Sequence, residues 1–140
     1  MQMEKAMTKA VVWVLAALLG LAALIFGAQM VASESGEVVV LTSNDPQGVP
    51  VRTRLWVVDH DGSQYLRASP GSGWYARLAA DPAVTLRRGG DTGAYRALPA
   101  PAERDKVNQL MRAKYGWRDV LISWLVGSRD DAIPVRLSRP

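Results

Sequence analysis

The distribution of apolar positions divides the chain into two unlike parts. From Ala10 to Ala32 it reads AVVWVLAALLGLAALIFGAQMVA, and Gln29 is the one side chain there that strongly resists hydrocarbon. No face of the segment is polar, so an amphipathic core helix is a poor description of it. As a helix it extends roughly 33 Å, which matches a bilayer core of about 30 Å. A cleaved signal peptide is the alternative, with Lys5 and Lys9 as its basic start and Val31-Ala32-Ser33 as a small-residue cleavage site. The apolar run exceeds the roughly 7–15 residues usual for such a peptide, which favours an anchor. The expected domains are a cytoplasmic N-terminus (1–9), a transmembrane helix (10–32), a tether (33–36) and a folded domain (37–140). Lys5 and Lys9 precede the apolar run, while Glu34 and Glu37 follow it. The positive-inside rule then predicts a single-pass protein whose domain lies on the periplasmic or extracytoplasmic side.

Beyond Gly36 the pattern shortens to a period of two. EVVVLTS (37–43) is a β-branched run, NDPQG (44–48) a turn cluster, and VPVRTRLWVVD (49–59) an alternating strand. In that strand Arg52, Arg54 and Trp56 face one way and Thr53, Leu55 and Val57 the other. HDG (60–62) predicts a hairpin turn before the returning strand SQYLRAS (63–69). PGSG (70–73) is a loop of chain breakers, and WYARLAA (74–80) a short helix stopped by Asp81-Pro82. AVTLRR (83–88) and AYRALP (94–99) are strands about the turn GGDTG. The period then becomes helical over 102–115 and again over 117–127, with Gly116 as the stop between them, before a last strand at 132–137. The order β-β-β-α-β-β-α-α-β predicts a mainly β domain with helices: a six-stranded antiparallel split barrel with late helices, preceded by one transmembrane helix. An open α+β sheet is the alternative.

Composition narrows the chemistry. There is no cysteine and a single histidine, His60, in a predicted turn. Thiol nucleophiles, zinc clusters and multi-histidine metal sites are therefore excluded, and no metal site is expected. The net charge is +4, from thirteen arginines and four lysines against 13 acids, scattered without a basic run. No nucleic-acid partner is expected. A modest basic surface suits an anionic membrane face or a phosphorylated ligand.

The stretch VVVLTSNDPQGVPVRTRLWVVDHDGSQYLRASPGSGWYARLAADPAVTLR, with its tail AERDKVNQLMRAKYGW…IPVRL, resembles the flavin-binding split β-barrel superfamily. That group includes the pyridoxamine 5′-phosphate oxidases and the deazaflavin-dependent nitroreductases. The resemblance covers roughly Glu37 to Leu137. It implies a cofactor cleft edged by the loop and short helix after the third strand, with Ser69, Ser72, Trp74 and Arg77 on its rim. Ser72 and Trp74 fall where the family has a Ser-x-basic pattern, so the basic residue is replaced by tryptophan. Arg52 and Arg54 are the natural substitutes for that phosphate contact, Thr53 adds a hydroxyl, and Trp56 and Trp74 are placed to stack on a flat ring. The loop NDPQGVP lacks the Lys-Ser-Gly-type sequence common in the deazaflavin branch, which favours FMN over a deazaflavin. The catalytic residues are not legible.

Plainer readings stand beside these. Arg52 and Arg54 also suit a solvated strand face, Trp74 and Tyr75 a barrel core, and Arg77 an i,i+4 pair with Asp81. Trp117 and Trp124 suit helix packing or a membrane-interface belt. The resemblance implies a flavin-dependent oxidoreductase, often a homodimer in that family; with the expected anchor it would be membrane-bound, with a quinone or other lipophilic acceptor as partner or a place in a larger membrane complex. The alternative is a cofactor-free barrel acting as a binding or assembly module or an accessory subunit.

Overall fold

The structure, a computed structural model, describes residues 1–34, 36–127 and 129–140. Helix α1 runs over Gln2–Glu34. Its stretch Gln2–Gly27 is long and apolar enough to cross a membrane by length and composition, and none of its apolar window is buried. The helix thus begins well before the predicted boundary at residue 10 and absorbs Ser33 and Glu34 of the predicted tether; Ser35 lies outside the described residues.

The strands are β1 (Val38–Asn44), β2 (Pro50–Trp56), β3 (Val58–His60), β4 (Ser63–Ala68), β5 (Ala83–Arg88), β6 (Asp91–Pro99) and β7 (Ile133–Ser138). Helix α2 (Gly73–Ala80) follows β4. A 3₁₀ turn at Pro101–Glu103, α3 (Arg104–Tyr115) and α4 (Trp117–Val126) separate β6 from β7. All pairings are antiparallel, and the order across the sheet is β2-β1-β5-β6-β7-β4-β3. The two edge strands are consecutive in sequence, and β2 also approaches β4, so the sheet curls into a split barrel.

Six strands were expected and seven form, because the run 49–59 breaks at Val57. Val57 and Val58 are both buried, which ends the alternation of β2. The Val57 N–H donates to the Tyr115 hydroxyl (3.0 Å), and its carbonyl accepts from the Lys114 ammonium (2.8 Å). Side chains of α3 therefore replace ladder partners, and the chain crosses from one edge of the sheet to the other. The β3–β4 hairpin turns on Asp61 (φ 49°) and Gly62 (φ 74°), the two positive-φ residues that a type I′ turn requires.

Two cores form. Inside the barrel, Val39 and Leu41 of β1 meet Leu66, Leu86 and Val135, with Trp74 and Leu78 of α2 closing one end. Outside it, Val58 and Tyr65 pack under Val107, Met111 and Tyr115 of α3. Trp56 stacks on Tyr115, with ring centroids 4.2 Å apart and planes 8° from parallel. Gly36 (φ 81°) lies so close to Tyr115 that an added Cβ would meet its ring at 3.1 Å. Helix α1 packs against α4.

Candidate functional site

Strand alternation sorts the residues expected at the site onto two faces. Thr53 pairs with Leu41, and Ser43 with Val51, so Thr53 and Ser43 share the inner face of the β1–β2 edge. Arg77 reaches them from α2: its Nε donates to the Ser43 hydroxyl (2.9 Å) and Nη2 to Thr53 Oγ1 (3.3 Å). No ion pair joins Arg77 to Asp81. The Asp81 carboxylate instead accepts from Asn44 Nδ2 (3.4 Å) and from the Ala83 N–H (3.1 Å). Arg77 is thus a tie between helix and barrel that keeps its Nη1 donors at the start of α2. A Cβ added at Gly73 would meet that Nη1 at 3.4 Å.

The loop before α2 is a compact turn. Ser72 N and Oγ both donate to the Ser69 carbonyl, at 3.0 and 2.8 Å. No acid occupies the first turn of α2, and Ser72 makes no side-chain cap. The leading amides of this helix are thus left without a side-chain acceptor from Ser72 or from an acid in the first turn. Ser69 Oγ accepts from Arg129 Nη1 (3.1 Å), which joins this loop to the segment after α4.

Arg52 and Arg54 lie on the opposite, outer face from Thr53 and Arg77. Both are exposed, and Arg54 borders a cavity of about 150 Å³ in the split between β2 and β4. Trp56 borders it too, with Val38, Leu55, Arg67, Met111, Ile122 and Arg129. Trp74 is 7% exposed and belongs to the barrel core, so its ring is covered by apolar side chains rather than offered to a ligand. The tryptophan at this position points into the core, and Arg77 places a guanidinium near the start of α2 one turn later. The eight expected residues thus form three groups: Thr53 with Arg77, Ser69 with Ser72, and Arg54 with Trp56. Arg52 lies alone on the surface and Trp74 in the core.

Sequence reasoning missed the charged cluster beside the cavity. Arg67 and Asp119 are buried, their side chains 3% and 5% exposed, and form an ion pair. Arg67 Nη1 also donates to Asn108 Oδ1 (3.3 Å), and Asn108 Nδ2 to the Arg129 carbonyl (3.0 Å). Burial lowers the Arg129 pKa, and the neighbouring Arg67 charge lowers it further. The available signal was Arg67 itself, a charge in the apolar run of a strand whose last four residues are all buried. Such a charge needs a partner. Nothing in the spacing identifies Asp119, 52 residues away, as that partner.

Among the described residues, no three His, Cys, Asp or Glu side chains gather as metal ligands. The donor set is guanidinium, hydroxyl and backbone amide, which suits holding an anionic molecule that carries its own redox chemistry. The fold and this donor set define a split-barrel protein of the flavin-binding kind. Residues 26–138 match the model of the F420H2-dependent quinone reductases, and the chain belongs to that family.

Solved structures agree on the fold. A conserved hypothetical protein, Rv2991 from Mycobacterium tuberculosis, is 18% identical over 79% of this chain and 77% of its own, with a TM-score of 0.57. An F420H2-dependent reductase (FDR-A) is 19% identical over 72% of this chain and 93% of its own, with a TM-score of 0.57. An FAD-binding protein from Mesorhizobium loti is 14% identical over 78% and 85%, with a TM-score of 0.55. No curated protein sequence matches the chain.

Proposed function

We propose that the chain is a membrane-tethered oxidoreductase that takes a hydride from a reduced deazaflavin nucleotide and delivers it to a quinone. The observation that carries this is the family match over residues 26–138, which spans the whole barrel. On sequence alone the loop Asn44–Pro50 favours FMN; the family's own cofactor is a deazaflavin, and that reverses the order.

The residues fit an anionic nucleotide. Ser69, Ser72, Arg77 and the leading amides of α2 would hold its phosphate end. Thr53 and Ser43 orient Arg77. Arg54 and Trp56, on the far side of the β1–β2 edge, flank the acceptor's approach rather than the phosphate, and Arg52 contributes only surface charge. The cofactor, when bound, supplies the hydride; the chain binds, orients and excludes water.

The anchor supports a lipophilic acceptor. Gln2–Gly27 spans the bilayer with the N-terminus in the cytoplasm, and α4, packed on α1, turns Trp117 (56% exposed) and Trp124 (79%) toward the headgroups. A homodimer sharing the cofactor at its seam is carried over from the resemblance.

The test is turnover. The full chain in nanodiscs, given reduced F420 and menadione, oxidises the F420 at a rate that scales with protein. Arg77→Gln lowers kcat/KM for F420 by about tenfold, the loss of one charge-assisted contact. Arg52→Gln leaves it unchanged. No oxidation above the protein-free control sinks the reading.

A further inference from the structure

Outside α1, four large apolar side chains stand exposed among the described residues, Val49, Trp117, Val120 and Trp124, and three of the four lie on α4. At about 3.6 residues per turn these three fall within roughly 60° of arc, so they form one stripe. The opposite side of the helix faces the domain: Asp119 pairs with Arg67, and Ile122 is buried and borders the cavity in the split. Asp119 is the only acid in the α4 sequence, so the outward stripe carries no carboxylate that would resist leaving water. Arg118 sets its guanidinium carbon 5.0 Å from the centre of the Trp117 ring, a cation beside the stripe. Single exposed apolar residues are ordinary on a protein surface, but two indoles and a valine in a row mark a contact surface.

The surroundings of the stripe say what covers it. Helix α4 packs on α1, the one helix among the described residues long and apolar enough to cross a membrane. Tryptophan suits the headgroup boundary, because its ring is apolar and its N–H still finds a partner there. A second copy of the chain is a poorer occupant. A helix of ten residues, about 15 Å long and roughly 10 Å across, offers about 150 Å², against about 800 Å² per partner in a stable interface. We propose that α4 is a second membrane contact of this chain, lying in the plane of the boundary between headgroups and acyl chains. Trp117, Val120 and Trp124 enter the apolar layer, and Arg118 stays at the level of the phosphates. This rests on the anchoring proposed above and goes beyond it: α1 tethers the domain, and α4 fixes how the domain sits. Ile122 lines the split cavity from the other side of the same helix, so that cavity lies about one helix diameter, roughly 10 Å, from the bilayer.

The chain has no cysteine, so single introduced cysteines can be labelled specifically. The test uses Val120→Cys, Leu18→Cys and Ala94→Cys variants of the full chain, each carrying a small fluorophore. They are placed in nanodiscs whose lipids bear a nitroxide either near the headgroup or at the end of the acyl chain. Ala94 is exposed on β6, the middle strand of the sheet order. The label in place of Val120 loses most of its emission to the shallow nitroxide and less to the deep one. The label in place of Leu18 does the reverse, and the label in place of Ala94 responds to neither. Adding Trp117→Gln and Trp124→Gln restores most of the emission in the Val120→Cys chain and leaves its urea midpoint unchanged, since both indoles are exposed. Quenching in the α1 variant without quenching in the α4 variant overturns the proposal and leaves the anchor standing, whereas quenching in neither overturns both. An α4 label shielded from aqueous iodide yet untouched by either nitroxide would give the stripe to a second copy and overturn the proposal as well. So would full quenching that persists without the two indoles.

Discussion

Arg88 is the residue on which the closure of the barrel turns. Its guanidinium grips Glu37 at the start of β1 through Nε and Nη2 (both 2.9 Å) and Asp59 of β3 through Nη1 and Nη2 (2.8 and 2.9 Å). Lys114 adds a contact to Glu37 at 2.6 Å. These charges fasten four elements across the split. The Arg88 hydrogen bonds, then those of Lys114, pull the Glu37 pKa from 4.5 down to about 2, and Arg88 lowers Asp59 as well. A depressed carboxylate stabilises the fold above its unfolded pKa and ceases to do so as pH falls through the folded one. Urea midpoints should therefore decline between pH 4.5 and about 2, and Glu37→Gln should flatten that decline while lowering the midpoint at pH 7. An unchanged acid profile in Glu37→Gln would contradict this role. The Arg67–Asp119 pair makes a harsher prediction. Asp119→Ala strands a buried guanidinium and should cost about 3–5 kcal/mol by urea denaturation. A cost near zero would mean that Arg67 escapes to solvent. At this scale the sequence spoke unevenly: the resemblance placed Arg77 on the cleft rim, but its partners were not legible, since Ser43 and Thr53 meet it only through tertiary folding.

Elements were more legible than residues, because periodicity is local. Helix α2 ends where Asp81-Pro82 demands, and α3 and α4 part at Gly116, which takes the positive φ of 56°. The strand 49–59 was misread for a physical reason. Its apolar content continues through Val57 and Val58, and only Tyr115, contributed by α3, shows that the ladder is interrupted there. The Tyr115 hydroxyl accepts from Val57 N–H and donates to the Glu37 carbonyl (2.6 Å), so it ties the crossing between β2 and β3 to the residue that precedes β1. Tyr115→Phe keeps the stack on Trp56 but leaves a buried N–H unpaired, and should cost about 1–3 kcal/mol of unfolding free energy. A neutral outcome would indicate that water replaces the hydroxyl. Trp74→Ala, in contrast, should cost about 3–5 kcal/mol, the scale of a large aromatic removed from a core. Were Trp74 a ligand contact and not a packing residue, its loss would weaken binding with little change in stability.

At the level of the whole molecule, one apolar helix and one curled sheet must be joined into a working unit. Family and fold were legible in the order and spacing of short motifs, each weak alone. A flavin-type cofactor was legible in the same way; the loop without a Lys-Ser-Gly-type sequence favours FMN, while the family matched across residues 26–138 is named for the deazaflavin F420. Helix α1 packs on α4, and on the proposed anchoring that contact would hold the barrel beside the bilayer with its domain outside the cytoplasm. Protease added to spheroplasts should therefore reach the domain, whereas protection until lysis would reverse the orientation. The account as a whole rests on the barrel holding a reduced deazaflavin. Its most direct test is an equilibrium titration of the full chain in nanodiscs with F420, followed by cofactor fluorescence, beside a parallel titration with FMN. Saturable binding of F420 at one site per barrel, tighter than FMN, is the predicted result; tighter binding of FMN, or no binding of either, would contradict it.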